Sequence, residues 1–245
     1  MHFLNYTFRC SSLGKIMSAK GELTQTNKSA LLEIFIEETE KVRKNITSKY
    51  FEKGIFCEED GFDLLQKTLY PNSLILKNKS RLSNEFINGE HDTIVGDIVY
   101  DIKNAFDRIT FAKADLTDGY EWQLRGYMWL NNISSARLFY CLNNMPEHML
   151  VDEERKLFYA NKFISFEDKE YLSLCDELRA FHNYDDKPIY ERFKVWDVAH
   201  CEYQIETLKA RIIKCRGYLN QLWAEKQATI NKNIELMAKA RDVIK

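Results

Sequence analysis

Cysteine pairs of the C-x-x-C kind, long apolar runs and low-complexity tracts are all missing from this chain of 245 residues, and each absence removes a class of protein. The six cysteines (Cys10, Cys57, Cys141, Cys175, Cys201, Cys215) are scattered, which argues against a zinc or iron–sulfur site and against a disulfide framework. Reduced thiols in a cytoplasm are the plain expectation. No stretch approaches the ~20 apolar residues of a membrane span, and the start MHFLNYTFRCSSLGKIM holds no apolar run of signal-peptide length. A soluble chain with no membrane partner follows. With only three prolines and nine glycines and no Ser/Gly-rich segment, neither a flexible linker nor an internal repeat is visible. The formal charge of -2 lacks the basic excess of many nucleic-acid binders, so any contact with a polyanion must be local.

What is present suits a packed core: 45% of the residues are hydrophobic and 29% charged. Residues 28–50 read as an amphipathic helix and 55–69 as a second one after Gly54. From residue 73 the pattern turns to strands, SLILKN, then NEFINGEHDTIV, then IVYDIK, with Gly96-Asp97 forming a two-residue hairpin loop between the last two. Asp118 followed by Glu121 resembles a capping box opening a helix through YEWQLRGYMWLNN, and ARLFYCL reads as a further strand. Strands interleaved with helices mean an α/β or α+β fold. Ile205, Leu208, Ile212, Cys215, Leu219 and Leu222 alternate spacings of three and four, the narrow seam of a long helix. Continued to Lys245, it would reach roughly 60 Å at 1.5 Å per residue. The expected organisation is one domain over residues 1–196 and a helical extension over 197–245 that packs on the core or on another subunit.

The chemistry is concentrated around the hairpin. If Gly96-Asp97 is the turn, Val95 pairs with Ile98, Ile94 with Val99, Thr93 with Tyr100 and Asp92 with Asp101. Directly opposed residues have Cβ atoms about 4.5–5.5 Å apart, and like charges there destabilise, so a positive group should sit between the two aspartates. Alternation puts Lys103 on the face of Asp101, while Ile98, Tyr100 and Ile102 turn to apolar surroundings. The same register sets Glu90 opposite Lys103, so the bland alternative is a surface charge cluster with an ordinary salt bridge. On the 55–69 helix, Ile55, Glu58, Phe62, Leu65 and Leu69 share a face. A carboxylate inside an apolar stripe is expensive unless paired or metal-bound, which nominates Glu58 as a third acid and leaves Glu59 turned away; the alternative is a helix less buried than its pattern suggests. Three carboxylates supply hard oxygen ligands for Mg²⁺ or Mn²⁺, and with a lysine they suit hydrolysis of a phosphodiester. Lys103 would orient or deprotonate the attacking water, or neutralise charge at phosphorus; the residues leave both roles open.

GEHD followed by DIK in a hairpin resembles the PD-(D/E)XK nuclease core, with His91 where proline is usual. Relatives of lambda exonuclease, YqaJ-like phage recombinases and RecB-type nucleases also carry a G-x-x-x-E helix upstream, matched by Gly54 and Glu58, and a Gln-x-x-x-Tyr helix downstream, matched by Gln123 and Tyr127. The likeness spans residues 9 to 142. It implies a restriction-endonuclease-like core, a central mixed sheet flanked by helices, with Glu58, Asp92, Asp101 and the Ile102 carbonyl around the metal and Gln123 near the lysine and scissile phosphate. Taken alone, Gln123 and Tyr127 read as a helix hydrogen-bond pair or half-buried core. The segment RCSSLGKIM resembles the family's first motif, in which a serine and a basic residue meet DNA phosphate; Ser11 or Ser12 would supply a hydroxyl and free N–H groups, or merely cap a helix. Arg9, Lys15 and Arg108 are further phosphate-contact candidates.

The resemblance implies a metal-dependent 5′ to 3′ exonuclease acting on double-stranded DNA ends in phage-type recombination, with a single-strand annealing protein as a partner and a trimer as the oligomer. A structure-selective endonuclease of the same fold, and a non-catalytic DNA-binding or assembly protein, are the competing readings.

Overall fold

The computed structural model describes residues 2–18, 21–42 and 48–243. Along these the chain runs through β1 (Phe8–Arg9), a short 3-10 turn (Cys10–Ser12), α1 (Leu13–Met17), α2 (Gln25–Glu40), α3 (Lys49–Phe56), α4 (Glu58–Leu69), β2 (Leu82–Ser83), β3 (Ile87–Gly89), β4 (Thr93–Val95) and β5 (Ile98–Asn104). There follow α5 (Arg108–Lys113), α6 (Asp118–Asn131), β6 (Ser135–Cys141), α7 (Glu147–Ala160), α8 (Lys169–His182), β7 (Phe193–Ala199) and α9 (Glu202–Val243). Two mixed sheets result, a small one in the order β1-β3-β2 and a four-stranded one in the order β4-β5-β6-β7. The expected helix-flanked mixed α/β fold with a long C-terminal helix is the fold observed.

The hairpin forms with the register its turn dictates: Thr93 pairs with Tyr100, Ile94 with Val99 and Val95 with Ile98. Gly96 takes φ of 59°, a conformation that costs a glycine nothing and most other residues strain. β5 then runs parallel to β6, and a parallel pair needs a long crossover, which α5 and α6 provide. The alternation of β5 separates two cores. Tyr100 and Ile102 pack with Phe62, Leu64 and Leu65 of α4, whereas Val99 joins Leu124, Tyr127 and Met128 of α6 in the larger cluster, which reaches Leu208, Ile212 and Leu219 of α9.

Several elements depart from their sequence-based expectation. The helix expected over 28–50 ends at Glu40, because Lys41 adopts the left-handed φ of 56°; residues 43–47 of that expectation lie outside the described residues. The helix expected over 55–69 breaks at Cys57, so Ile55 leaves the apolar stripe for α3, where it is 55% exposed, and Glu58 opens α4. Residues 73–78, expected as a strand, form no strand and belong to no sheet; Ile75 is buried between exposed Leu74 and Leu76, and the Asn78 N–H donates to the Asp92 carbonyl at 2.7 Å. The cap of α6 is Thr117, whose hydroxyl accepts from the Tyr120 N–H, while Asp118 is already helical and Glu121 pairs with Arg125.

In α9 the residues Ile205, Leu208, Ile212, Cys215 and Leu219 are buried, and every residue from Ala228 to Ala240 is exposed. The first half also fixes the N-terminal segment, with the Asn220 side chain accepting from the Phe3 N–H at 3.0 Å and Arg216 donating to the Tyr6 carbonyl at 2.9 Å. The boundary expected at 196/197 falls within β7, which pairs with β6 along its whole length, so the helical part starts at Glu202. All six cysteines are free thiols; Cys201 is partly exposed and the other five are buried. No described helix is long and apolar enough to cross a membrane.

Candidate active site

Asp92 enters the site from the residue before β4. Its backbone N–H donates to the Tyr100 carbonyl at 3.3 Å, one residue out of the hairpin register, so the expected Asp92–Asp101 pair is not part of the ladder, and its Oδ2 accepts the Ile102 N–H at 2.5 Å. Asp101, two residues into the polar face of β5, is 1% exposed. Its Oδ1 accepts from Gln123 Nε2 at 3.1 Å, and its Oδ2 lies 2.7 Å from the Lys103 ammonium in an ion pair. The Lys103 side chain retains 29% exposure.

The electrostatics follow from placing two carboxylates beside one ammonium. Burial, then the neighbouring Asp101 charge, push the Asp92 carboxyl up to about 7, against the opposing pull of Lys103 and the Ile102 N–H. Burial alone would lower Lys103, but Asp101 and Asp92 outweigh it and raise its pKa. Gln123 donates from the same Nε2 to the Tyr127 hydroxyl at 2.9 Å, and burial raises that phenol. The helical pair is thus a bridge from α6 to Asp101, reached because Gln123 and Tyr127 lie one turn apart on the face that covers β5.

Glu58, Asp92, Ile102 and Lys103 line one groove of about 630 Å³. Asp101 and Gln123 are not on its surface and act from behind Asp92 and Lys103. Glu58 is not the buried carboxylate its stripe suggested. The break at Cys57 rotates it out, its side chain is 38% exposed, and the Lys77 ammonium holds it at 2.5 Å. Glu59 is exposed. Among the described residues no three His, Cys, Asp or Glu side chains stand ready to hold a metal ion. The donor chemistry nevertheless fits magnesium or manganese. Asp92 and Asp101 are oxygen donors with excess negative charge between them, and Mg²⁺ commonly takes only one or two carboxylates and keeps several waters. Glu58 on the same groove would complete the set by leaving Lys77.

Glu90 does not approach Lys103; it lies 4.0 Å from Arg81 on the surface, so the ordinary salt bridge of the bland reading does not form. His91, in the usual proline position, is 7% exposed and packs edge-on to Tyr127, and burial lowers its pKa.

Arg9, Ser11, Ser12 and Lys15 are brought together in a second, smaller cavity of about 170 Å³ beside Glu33 and Glu37. Arg9 pairs with Glu37 at 3.0 Å, and the Ser12 hydroxyl donates to the Arg9 carbonyl at 2.8 Å without capping α1. Arg108 is elsewhere. It donates to the Phe181 and Ala180 carbonyls at 3.0 and 3.1 Å, closing the C-terminus of α8, and its guanidinium lies over the Phe181 ring.

Sequence reasoning passed over Tyr120 and Tyr140, which line the groove. Both carried a signal: Tyr120 stands three residues before Gln123 on the same helix, and Tyr140 pairs with Lys103 in the parallel register. The exposed Tyr50, Phe51 and Ile55 of α3 form an apolar wall of the same groove; their exposure could not be read without the break at Cys57.

No family model and no curated protein matches the sequence. Solved structures do. A phage related exonuclease from Haemophilus somnus 129PT is similar over 91% of this chain and 97% of its own, at 26% identity with a TM-score of 0.70. An alkaline exonuclease from Laribacter hongkongensis, LHK-Exo, covers 94% of each chain at 11% identity and a TM-score of 0.58. The same enzyme in complex with dAMP gives 12% identity and a TM-score of 0.57 over 96% of both chains. These neighbours are consistent with a PD-(D/E)XK nuclease fold of the lambda-exonuclease and YqaJ-like kind, the fold that the hairpin and helix motifs resemble.

Proposed function

We propose that this chain is a metal-dependent deoxyribonuclease that hydrolyses phosphodiester bonds from the ends of linear duplex DNA in the 5′ to 3′ direction. The observation that carries the reading is the placement of Asp92 and Lys103 at one groove with Asp101 paired to Lys103 directly behind them, on a fold similar over most of its length to a phage related exonuclease. Asp92, Asp101 and the Ile102 carbonyl, joined by Glu58, would hold Mg²⁺ or Mn²⁺. When bound, such an ion supplies Lewis-acid polarisation of the phosphodiester and a more acidic water. The chain's own residues do the rest. Lys103, kept charged by Asp101 and Asp92, faces the groove where the phosphate oxygens would lie and offsets their growing charge. Gln123 holds Asp101 in orientation. Tyr50 and Phe51 offer faces on which unpaired bases can stack. Arg9, Ser11, Ser12 and Lys15 form a candidate anion pocket once Arg9 leaves Glu37.

The likeness to a phage related exonuclease fits a role in phage-type recombination, with a single-strand annealing protein and further copies of this chain as partners. Digestion of end-labelled linear and closed circular duplexes with Mg²⁺ tests the reading. Loss of the 5′ label first, sparing of the circle and silence in excess chelator are expected. Cutting of the circle would make the protein an endonuclease, and inertness of both substrates would remove the enzyme reading.

A further inference from the structure

Lys53 is wholly buried, yet no described carboxylate pairs with it. Its ammonium donates to the carbonyl of Phe106 at 2.9 Å and to that of Asn143 at 2.7 Å, groups just past the C-terminal ends of β5 and β6. Burying an ammonium without a counter-ion is expensive, and a packed apolar side chain would join the same elements at lower cost. What an apolar residue could not do is fix the angle between them.

The hydrogen bonds around Lys53 close into a ring. The Asn143 side chain donates to Asn104 Oδ1 at 2.8 Å. Asn104, the residue after Lys103, donates in turn to the Cys57 carbonyl at 3.0 Å, and the Cys57 N–H returns to the Lys53 carbonyl at 2.9 Å. Cys57 is the joint between α3 and α4 and immediately precedes Glu58. One turn further, a Cβ on Gly61 would stand 2.9 Å from the Ile102 side chain, so α4 is seated directly on the strand that carries Asp101 and Lys103.

We propose that Lys53, Asn104 and Asn143 form a positioning clamp that locks the α3–α4 joint onto the end of β5 and thereby sets where Glu58 stands relative to Asp92, Asp101 and Lys103. The clamp rests on the reading of Glu58 as the third acid of the site. Lys53 and Asn143 do not line the groove, whereas Asn104 does, and the clamp acts through Glu58.

The test is a double-mutant cycle of Lys53→Met with Glu58→Gln, read by calorimetric Mn²⁺ affinity and by single-turnover cleavage of linear duplex. Lys53→Met is expected to weaken Mn²⁺ binding by about tenfold or more in the folded protein and to add less than about twofold when Glu58 is already Gln, the coupling expected of residues acting through one another. Asn104→Ala cuts the ring elsewhere while leaving both hydrogen bonds of the Lys53 ammonium in place, and gives the same pattern should Lys53→Met fail to fold. Wild-type Mn²⁺ affinity and cleavage in Lys53→Met or Asn104→Ala, alongside impaired Glu58→Gln, overturns the clamp alone. So does a loss that multiplies independently of Glu58→Gln, because a merely structural role behaves that way. Unimpaired Glu58→Gln overturns the Glu58 assignment and the clamp with it.

Discussion

Lys53 and Lys103 are both drawn into the protein, but into opposite company. Lys53 meets two backbone carbonyls, and burial pushes its ammonium down to about 8. Lys103 meets Asp101 with Asp92 beside it, and its pKa is raised despite the same penalty. Desolvation is common to the two sites, so the sign is decided by whether a full negative charge or only carbonyl dipoles receive the ammonium. The comparison separates a lysine arranged to meet charge at a groove from one arranged to hold elements together.

The largest effect should come from the Lys103 side. Asp101→Ala and Lys103→Ala are each expected to slow cleavage at least a hundredfold, ~2.7 kcal/mol of barrier, with circular dichroism unchanged. Rates within tenfold of wild type in both would erase the distinction between the two lysines.

Next in size is the metal-free acid pair. Asp92 is raised from its ordinary 3.8 to about 7 in the folded protein, so it stabilises the fold as a neutral acid. That contribution is complete below about pH 4 and is lost as pH rises through about 7. Without metal the unfolding midpoint should therefore fall between pH 5 and 8, and Asp92→Asn should flatten the fall. Mn²⁺ at a hundredfold excess over Kd should return about 2.7 kcal/mol at pH 8. A metal-free midpoint indifferent to pH, in wild type and variant alike, would contradict the crowding of the two acids.

Lys53 predicts a smaller effect of opposite sign. Its depressed pKa means that stability is gained as pH rises from about 8 towards the ordinary lysine value of 10.5, and lost again as pH falls through about 8. Subtracting the Lys53→Met curve from wild type removes the buried thiols and phenols, which titrate in the same range. The difference should rise over that window; a flat difference would mean Lys53 is not held as described. Smallest of all is Glu59→Gln, at an exposed position. Stability should change by no more than about 0.5–1 kcal/mol and cleavage by less than about twofold, measured beside Glu58→Gln. Strong loss in Glu59→Gln would reverse the assignment of the two glutamates.

The parts of the fold that were legible in the sequence are those set by neighbours along the chain. Gly96 fixes the turn, the turn fixes the register, and alternation then puts Asp101 and Lys103 on one face. The spacing of Gln123 and Tyr127, and of the seam in α9, is equally local. What escaped depends on partners distant in sequence. The break at Cys57 has no glycine or proline to announce it, and its carbonyl is held by Asn104, 47 residues away. Arg108 was available to a phosphate by its charge, yet the unsatisfied carbonyls at the end of α8 take it. The segment 73–78 has the alternation of a strand in its sequence but no neighbour to pair with. Lys53 reads as one more solvated lysine until the ends of β5 and β6 arrive above it.

The uneven burial of the thiols makes the chain its own reporter. Five are sealed in the core, and burial lifts Cys10 and Cys215 to about 12 and Cys57 to about 11, which keeps the nucleophilic thiolate scarce. Cys201, between β7 and α9, is the partly exposed one. A thiol-directed dye should therefore label the native protein once, at a known point outside the groove, and reach six per chain only on unfolding. Fluorescence from that single site can follow DNA engagement and global unfolding without any engineered residue.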